Sequence, residues 1–311
     1  MKPPAPLILA LVLMGAGWGL TQPLAKIAVS GGYQPLGLIF WQMVIAAAVL
    51  SVVVRLRGKK VPIGAAHLRL YLTIALIGTI VPGFASYRAL VHLPSGIISI
   101  LLSLVPMIAF PVALALGNDR FGWLRMSGLM VGLSGVLLLV VPEAGLPEPG
   151  MVYWIPLALV APLCYGFEGN YVARWGTAGL DPLQVLLGAS VVGAALSLPL
   201  AIFAGHWISP LPPYGAPDLA FVASSVIHAF VYSAYVWLVR RAGPSFAAQV
   251  SYLVTGFGVL WAMLLLGENY STYVWGAMAL MFVGIFLVQP RDDSSLAPAS
   301  ASGDTGQKTM R

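Results

Sequence analysis

Ten apolar stretches take up nearly the whole chain, at roughly 6–28, 34–54, 69–90, 95–116, 123–142, 151–173, 183–204, 219–239, 245–266 and 271–289. Each is about as long as the 20 or so residues a helix needs to cross a bilayer core. Lipid offers a backbone N–H or C=O no partner, so a stretch of this kind must be a helix that satisfies itself. The composition agrees, with 59% of the 311 residues hydrophobic and 8% charged, against about 25% charged in a soluble domain. The sequence therefore predicts an all-α integral membrane protein with ten transmembrane helices.

Charge sets the expected orientation. Lys and Arg are retained on the cytoplasmic side of short loops. Of the 16 Lys and Arg residues, all but Lys26 and Arg88 fall at the termini, in the even-numbered loops or at the helix ends beside them. Both termini are thus expected in the cytoplasm, with the chain passing many times through the cytoplasmic (inner) membrane. The net charge of +6 is a topology signal and calls for no nucleic-acid partner. Lys2 precedes an apolar core, as in a signal peptide, but the pattern continues through Lys26. The first stretch therefore reads as a retained helix. The single cysteine, Cys164, allows no disulfide within one chain and suggests no metal site.

The two halves resemble each other. "PSGIISILLSLVPMIAFPVALALG" from Pro94 and "PSFAAQVSYLVTGFGVLWAMLLLG" from Pro244 align without gaps, both ending on glycine, Gly117 and Gly267. "GWGLTQPLAKIA" from Gly17 in the first stretch matches "CYGFEGNYVAR" from Cys164 in the sixth in placing polar residues inside an apolar run. Repeats with five helices each must enter the membrane from opposite sides. That predicts two inverted-topology five-helix repeats, 1–145 and 146–290, followed by a disordered cytoplasmic tail over 291–311. Inverted repeats are the architecture of many secondary transporters, whose sites lie near the midplane between the repeats.

"LLLGENYSTYVWGAMALMFVGIFLV", Leu264 to Val288, resembles the ninth-to-tenth helix signature of the EamA family, part of the drug/metabolite transporter superfamily. "GNDRFGWLRMSGLMVGLSGVLLLV" from Gly117 is similar, with Asn118 where the family usually has the glutamate seen here at Glu268. The resemblance spans about residues 6–290. It implies a ten-helix permease for small metabolites, often moving them outward, and leaves the substrate open.

Polar residues recur on one side of several stretches. Trp18, Gln22 and Lys26 share a face, as do Ser95, Ser99 and Ser103. The sixth stretch aligns Tyr165, Glu168 and Tyr171, the eighth Ser225, His228, Tyr232 and Tyr235, and the ninth Ser245, Gln249 and Tyr252. Aligned polar faces suggest a shared wet cavity. For the serines, hydrogen bonding between helices explains the pattern as well. The candidate cavity residues are Trp18, Gln22, Tyr165, Glu168, His228, Tyr232, Gln249 and Tyr252. Glu168 is the one acid well inside a stretch, where a carboxylate costs roughly 2.5–3.5 kcal/mol on insertion scales. Its role is to meet a substrate amine or a proton, or to pair with Lys26, Arg88 or His228. Lys26 and Arg88 are either a site for an anion or anchors at the outer interface.

From Met126 to Val141 and from Tyr273 to Val288 the fifth and tenth stretches carry no charge, and they present small residues, Gly128 with Gly132 and Ala277 with Gly284. They suit close packing within a monomer or at a homodimer face. Pro23, Pro82, Pro106, Pro111 and Pro162 lie inside apolar stretches and each frees the carbonyl four residues back. The reading that fits these features is a secondary transporter, an exporter of small metabolites such as amino acids or amine-bearing compounds. It needs a small-molecule substrate and a lipid bilayer, and no cofactor. An intramembrane enzyme would need a nucleophile with its base, a metal cluster or paired acids, and HExxH and GxSxG are absent from the sequence. A structural subunit would need neither polar faces nor an inverted repeat.

Overall fold

The computed structural model describes residues 5–140 and 146–288. The expected tail over 291–311 and the junction at 145 lie outside them. The protein is 81% helical, with no strand among the described residues. Among the described residues, eight helices are long and apolar enough to span a membrane, and two shorter apolar ones, Val250–Leu266 and Thr272–Val288, lie at the ninth and tenth stretches.

The first two spans are α1 (Ala5–Ser30) and α2 (Pro35–Leu56). The third joins α3 (Ala65–Ala75) to α4 (Val81–His92) through a π-helical segment, Leu76–Ile80. The fourth is broken into α5 (Ser95–Leu102) and α6 (Val105–Ala115), and the fifth is α7 (Trp123–Val140). A 3-10 turn, Pro149–Trp154, leads into the sixth span, α8 (Ile155–Ala158) and α9 (Val160–Trp175). Then come α10 (Pro182–Phe203), α11 (Ala216–Ala242), α12 (Pro244–Ala247) with α13 (Val250–Leu266), and α14 (Thr272–Val288).

The prolines account for several interruptions. Pro106 removes the donor for Leu102, where α5 ends, and Pro162 that for Ala158, where α8 ends. Pro82 stands four residues after Gly78, inside the π segment. Pro23 sits within an unbroken α1. Its missing donor frees the Gly19 carbonyl, and Gly19 lies at a close approach of α1 to the α13 backbone. Gly117 and Gly267, the matched glycines of the repeat, share a left-handed backbone with φ of 69° and 66°. A side chain on Cβ would strain either position.

Packing respects the repeat. Span one (α1) lies against α11 and α13, and its counterpart α9 lies against α4 and α6. The third span packs on α10 as α11 packs on α2, while α2 meets α10 and α7 meets α14. Exchanging the halves maps this set of contacts onto itself. At the α7–α14 seam, a Cβ on Gly128 would stand 2.9 Å from the Gly284 carbonyl oxygen, and one on Gly284 2.8 Å from that of Gly128. The small residues of both helices are therefore occupied with each other inside one chain, where they allow backbone-to-backbone packing.

Candidate functional site

A cavity of about 490 Å³ lies between the halves. Its wall takes residues from α1, α2, the whole third span, the break in the fourth, α9, α10, α11 and α13. Among the described residues, α7 and α14 contribute none. Of the sequence-predicted residues, Trp18, Gln22, Tyr165, Glu168, His228 and Tyr232 all line this space.

Glu168 sits on α9 against the π segment of the third span. A Cβ on Gly78 would lie 2.7 Å from Glu168 Oε1 and 3.0 Å from its Cδ, so the missing side chain makes the room the carboxylate occupies. The π turn at this point is closed by Val81 N–H donating to the Leu76 carbonyl. Single π turns within α-helices are frequent at functional sites. Tyr165 on the same helix and Tyr232 on α11 are within electrostatic reach of Glu168.

Trp18 gathers the rings of α11. Its centroid is 5.4 Å from Tyr235, 6.1 Å from His228 and 6.4 Å from Tyr232, at interplanar angles of 50–69°. Its buried indole N–H has no acceptor among the described residues. Polar groups that the sequence reading passed over complete the wall. Gln42 accepts a 2.8 Å hydrogen bond from the Tyr87 hydroxyl, and Thr79, Ser86 and Ser251 also face the space. Gln42 was detectable, as a lone amide inside the apolar α2. Gly78 was not, because its importance lies in what stands opposite.

The remaining predicted residues lie elsewhere. Gln249 is exposed in the turn between α12 and α13. Tyr252 packs 5.7 Å from Phe282, its buried hydroxyl without a partner among the described residues. The expected stripe assumed one continuous ninth helix, and the break at Ala248–Gln249 turns these side chains out of register. Arg88 is exposed and outside the cavity wall.

Lys26 is directed at a helix end. Its Nζ donates to the carbonyls of Leu90 at 2.5 Å, Leu93 at 3.1 Å and Val91 at 3.3 Å. These are terminal carbonyls of α4, which lack intrahelical donors and carry the negative end of the helix dipole. The next helix is capped from the other half of the chain. Glu268 accepts from Ser95 N–H at 2.8 Å, Ser95 Oγ at 2.9 Å and Gly96 N–H at 3.1 Å, and from the Tyr270 hydroxyl. Burial, and next the bond to Glu268, push the Tyr270 hydroxyl well above the usual tyrosine range and keep it a donor. Ser99 and Ser103 bond carbonyls of their own helix, Ser95 and Ile100. One cation and one anion thus clasp both sides of the α4–α5 turn. Lys26→Met is expected to cost about 1 kcal/mol, the lower end of the penalty for unpaired acceptors, because these are only partly buried. Thermal unfolding in detergent measures it, and an unchanged midpoint would show that the cap contributes nothing.

The other described acids already have donors or solvent. Asp119 pairs with Arg125 at 2.5 Å. Asp181 caps α10 through Leu183 and Gln184 N–H at 3.0 and 3.2 Å. Asp218, beside an apolar pocket of about 390 Å³, accepts from the Tyr33 hydroxyl and from Gly215 N–H at 2.8 Å. Glu148 is exposed. Glu168 alone lines the cavity, and it has neither a hydrogen-bond donor nor an ion pair among the described residues.

Comparison with known proteins agrees with this architecture. The EamA-like transporter family matches twice, over residues 5–141 and 152–289. The uncharacterized inner membrane transporter YedA of Escherichia coli (strain K12) is 26% identical over 91% of this chain and 90% of its own. A probable terminal-alkyne amino-acid exporter of Streptantibioticus cattleyicolor is 25% identical over 94% of this chain and 97% of its own. A solved crystal structure with 22% identity superposes with a TM-score of 0.59, covering 90% of this chain and 97% of that one. Two matches to one family, two halves with exchangeable contacts and a cavity between them place this multi-pass membrane protein in the EamA-like transporter family.

Proposed function

We propose that the protein is a secondary transporter that exports small metabolites, such as amino acids or amine-bearing compounds, by alternating access. The observation that supports this most is the cavity of about 490 Å³ walled by both halves and holding one unpaired carboxylate. Ligand sites are commonly 300–1,000 Å³, mostly apolar with a few placed polar groups. In this reading the halves rock about the cavity and expose it to each side in turn. The breaks at Leu102 and Ala158 and the π turn at Gly78 are the points where helices bend. Both termini lie in the cytoplasm of a cell with this protein in its inner membrane, as the Lys and Arg distribution favours. The occupied glycine seam between α7 and α14 favours a monomer.

The sequence has no phosphate-binding GxxxxGK[ST] loop, and in this reading a gradient, of a coupling ion or of the substrate itself, drives movement. Purified protein in proteoliposomes, offered a metabolite panel with and without a pH gradient, tests the reading. Saturable movement of at least one compound, faster than in protein-free liposomes, is expected. No movement of any amine or amino acid, with folded protein in both orientations, would overturn it.

A further inference from the structure

We infer that the site narrows the range proposed above: the cavity selects organic monocations, amines that carry no carboxylate, over amino acids and other zwitterions. The inference rests on the transporter reading in that it takes the cavity to be the substrate site. Three observations carry it. The first is the unpaired carboxylate of Glu168, in contrast to the donors or solvent available to every other described acid. A carboxyl in a cavity between membrane helices is costly to ionise alone, and a bound cation would supply the partner that the protein does not.

The second is the lack of a matching cation. No Lys or Arg among the described residues lines the space. Lys26 directs its protons at Leu90, Val91 and Leu93, and Arg88 lies outside the wall. His228 is the one basic side chain there, and its ring is packed with Trp18 at 6.1 Å. The carboxylate of a zwitterion would share a chamber with Glu168 and lack a fixed positive partner. A repelled or unpaired group is how a site rejects a close analogue.

The third is the ring cluster. Trp18, Tyr232 and Tyr235 stand together on the same cavity, and Tyr165 lies one turn from Glu168. Aromatic faces attract ammonium groups through the ring quadrupole, and cages of such rings recognise primary to quaternary amines. One acid facing several rings, with no permanent base, fits an ammonium on an apolar or aromatic body.

The test compares three ligands with a common ring, phenethylamine, phenylalanine and 3-phenylpropionate. Binding to the full-length protein in lipid nanodiscs is measured by calorimetry. Phenethylamine is expected to bind at least about tenfold more tightly than phenylalanine, with 3-phenylpropionate not bound; about tenfold corresponds to 1.4 kcal/mol. Glu168→Gln is expected to weaken the amine by about tenfold or more, the lower range of a charged hydrogen bond. Tyr232→Phe, which keeps the ring, should bind the amine within about threefold of the parent, and Tyr232→Leu about tenfold less, in line with cation–π attraction. The tyrosine pair reads the cage independently if Glu168→Gln does not fold. Phenylalanine binding as tightly as phenethylamine, no amine binding, or amine affinity that survives both Glu168→Gln and Tyr232→Leu would overturn the inference. Amine binding in nanodiscs without movement in proteoliposomes would overturn the transport reading and support the site. Movement of phenylalanine with no amine binding would do the reverse.

Discussion

Glu168→Gln lowers transport in proteoliposomes by about ten- to a hundredfold and leaves the melting temperature unchanged or raised. The first half follows from the proposed role. A charge-assisted bond is worth about 1.5–3 kcal/mol, and each 1.4 kcal/mol is a factor of ten. The second half follows from the site. Glu168 has no donor and no ion pair among the described residues, and the amide keeps the shape without a carboxylate to desolvate. Removing one member of a true buried pair instead costs about 3–5 kcal/mol. The two outcomes therefore separate a functional carboxylate from a structural one. Uptake at the parent rate would end the proposed role. Lost uptake with a sharply lowered melting temperature would point to a partner that holds the fold.

Gly19→Val is expected to be strongly destabilising at the crossing of α1 and α13. A Cβ on Gly19 would stand 2.7 Å from the Gly258 backbone nitrogen, 2.9 Å from Phe257 Cβ and 3.0 Å from the Phe257 carbonyl carbon. Backbone cannot rotate out of the way as a long side chain can, so the helices must separate. Overpacking of this kind costs about 1–3 kcal/mol and more when backbones collide. Separation would also move Trp18 and Gln22, which face the cavity from the same helix. Gly256→Ala is the control on α13. Nothing stands within 4 Å of its Cβ, and alanine gains roughly 0.5–1 kcal/mol over glycine in a helix. Thermal unfolding should show a large drop for the first and none for the second. Equal midpoints would mean that the close approach at Gly19 is not a constraint.

The contrast between Gly19 and Gly256 also shows where sequence reasoning stops. Both are glycines in apolar helices, and only the neighbour across the interface tells them apart. The same holds for Lys26. Its position near a helix end left an anion site and an anchor open, and its hydrogen bonds go to Leu90, Val91 and Leu93, distant in sequence. Glu268 belonged to a recognisable signature, yet its partners Ser95 and Gly96 sit in the other half. Gln249 and Tyr252 were misplaced because the turn between α12 and α13 has no proline to announce it.

What the sequence determined alone was the set of spans, several of the breaks and the repeat. Hydropathy, the lost donor of proline and the left-handed preference of glycine all act over one helix turn to one helix length, so they are written locally. That Glu168 belonged inside a span was legible for the same reason. Which residues share the cavity was decided by the tertiary structure. The wall draws on spans from both halves, and the rotation of each helix about its axis depends on glycine contacts and breaks that no single stretch records. Glu168 acquires its meaning there, because the absence of a partner is a property of everything packed around it.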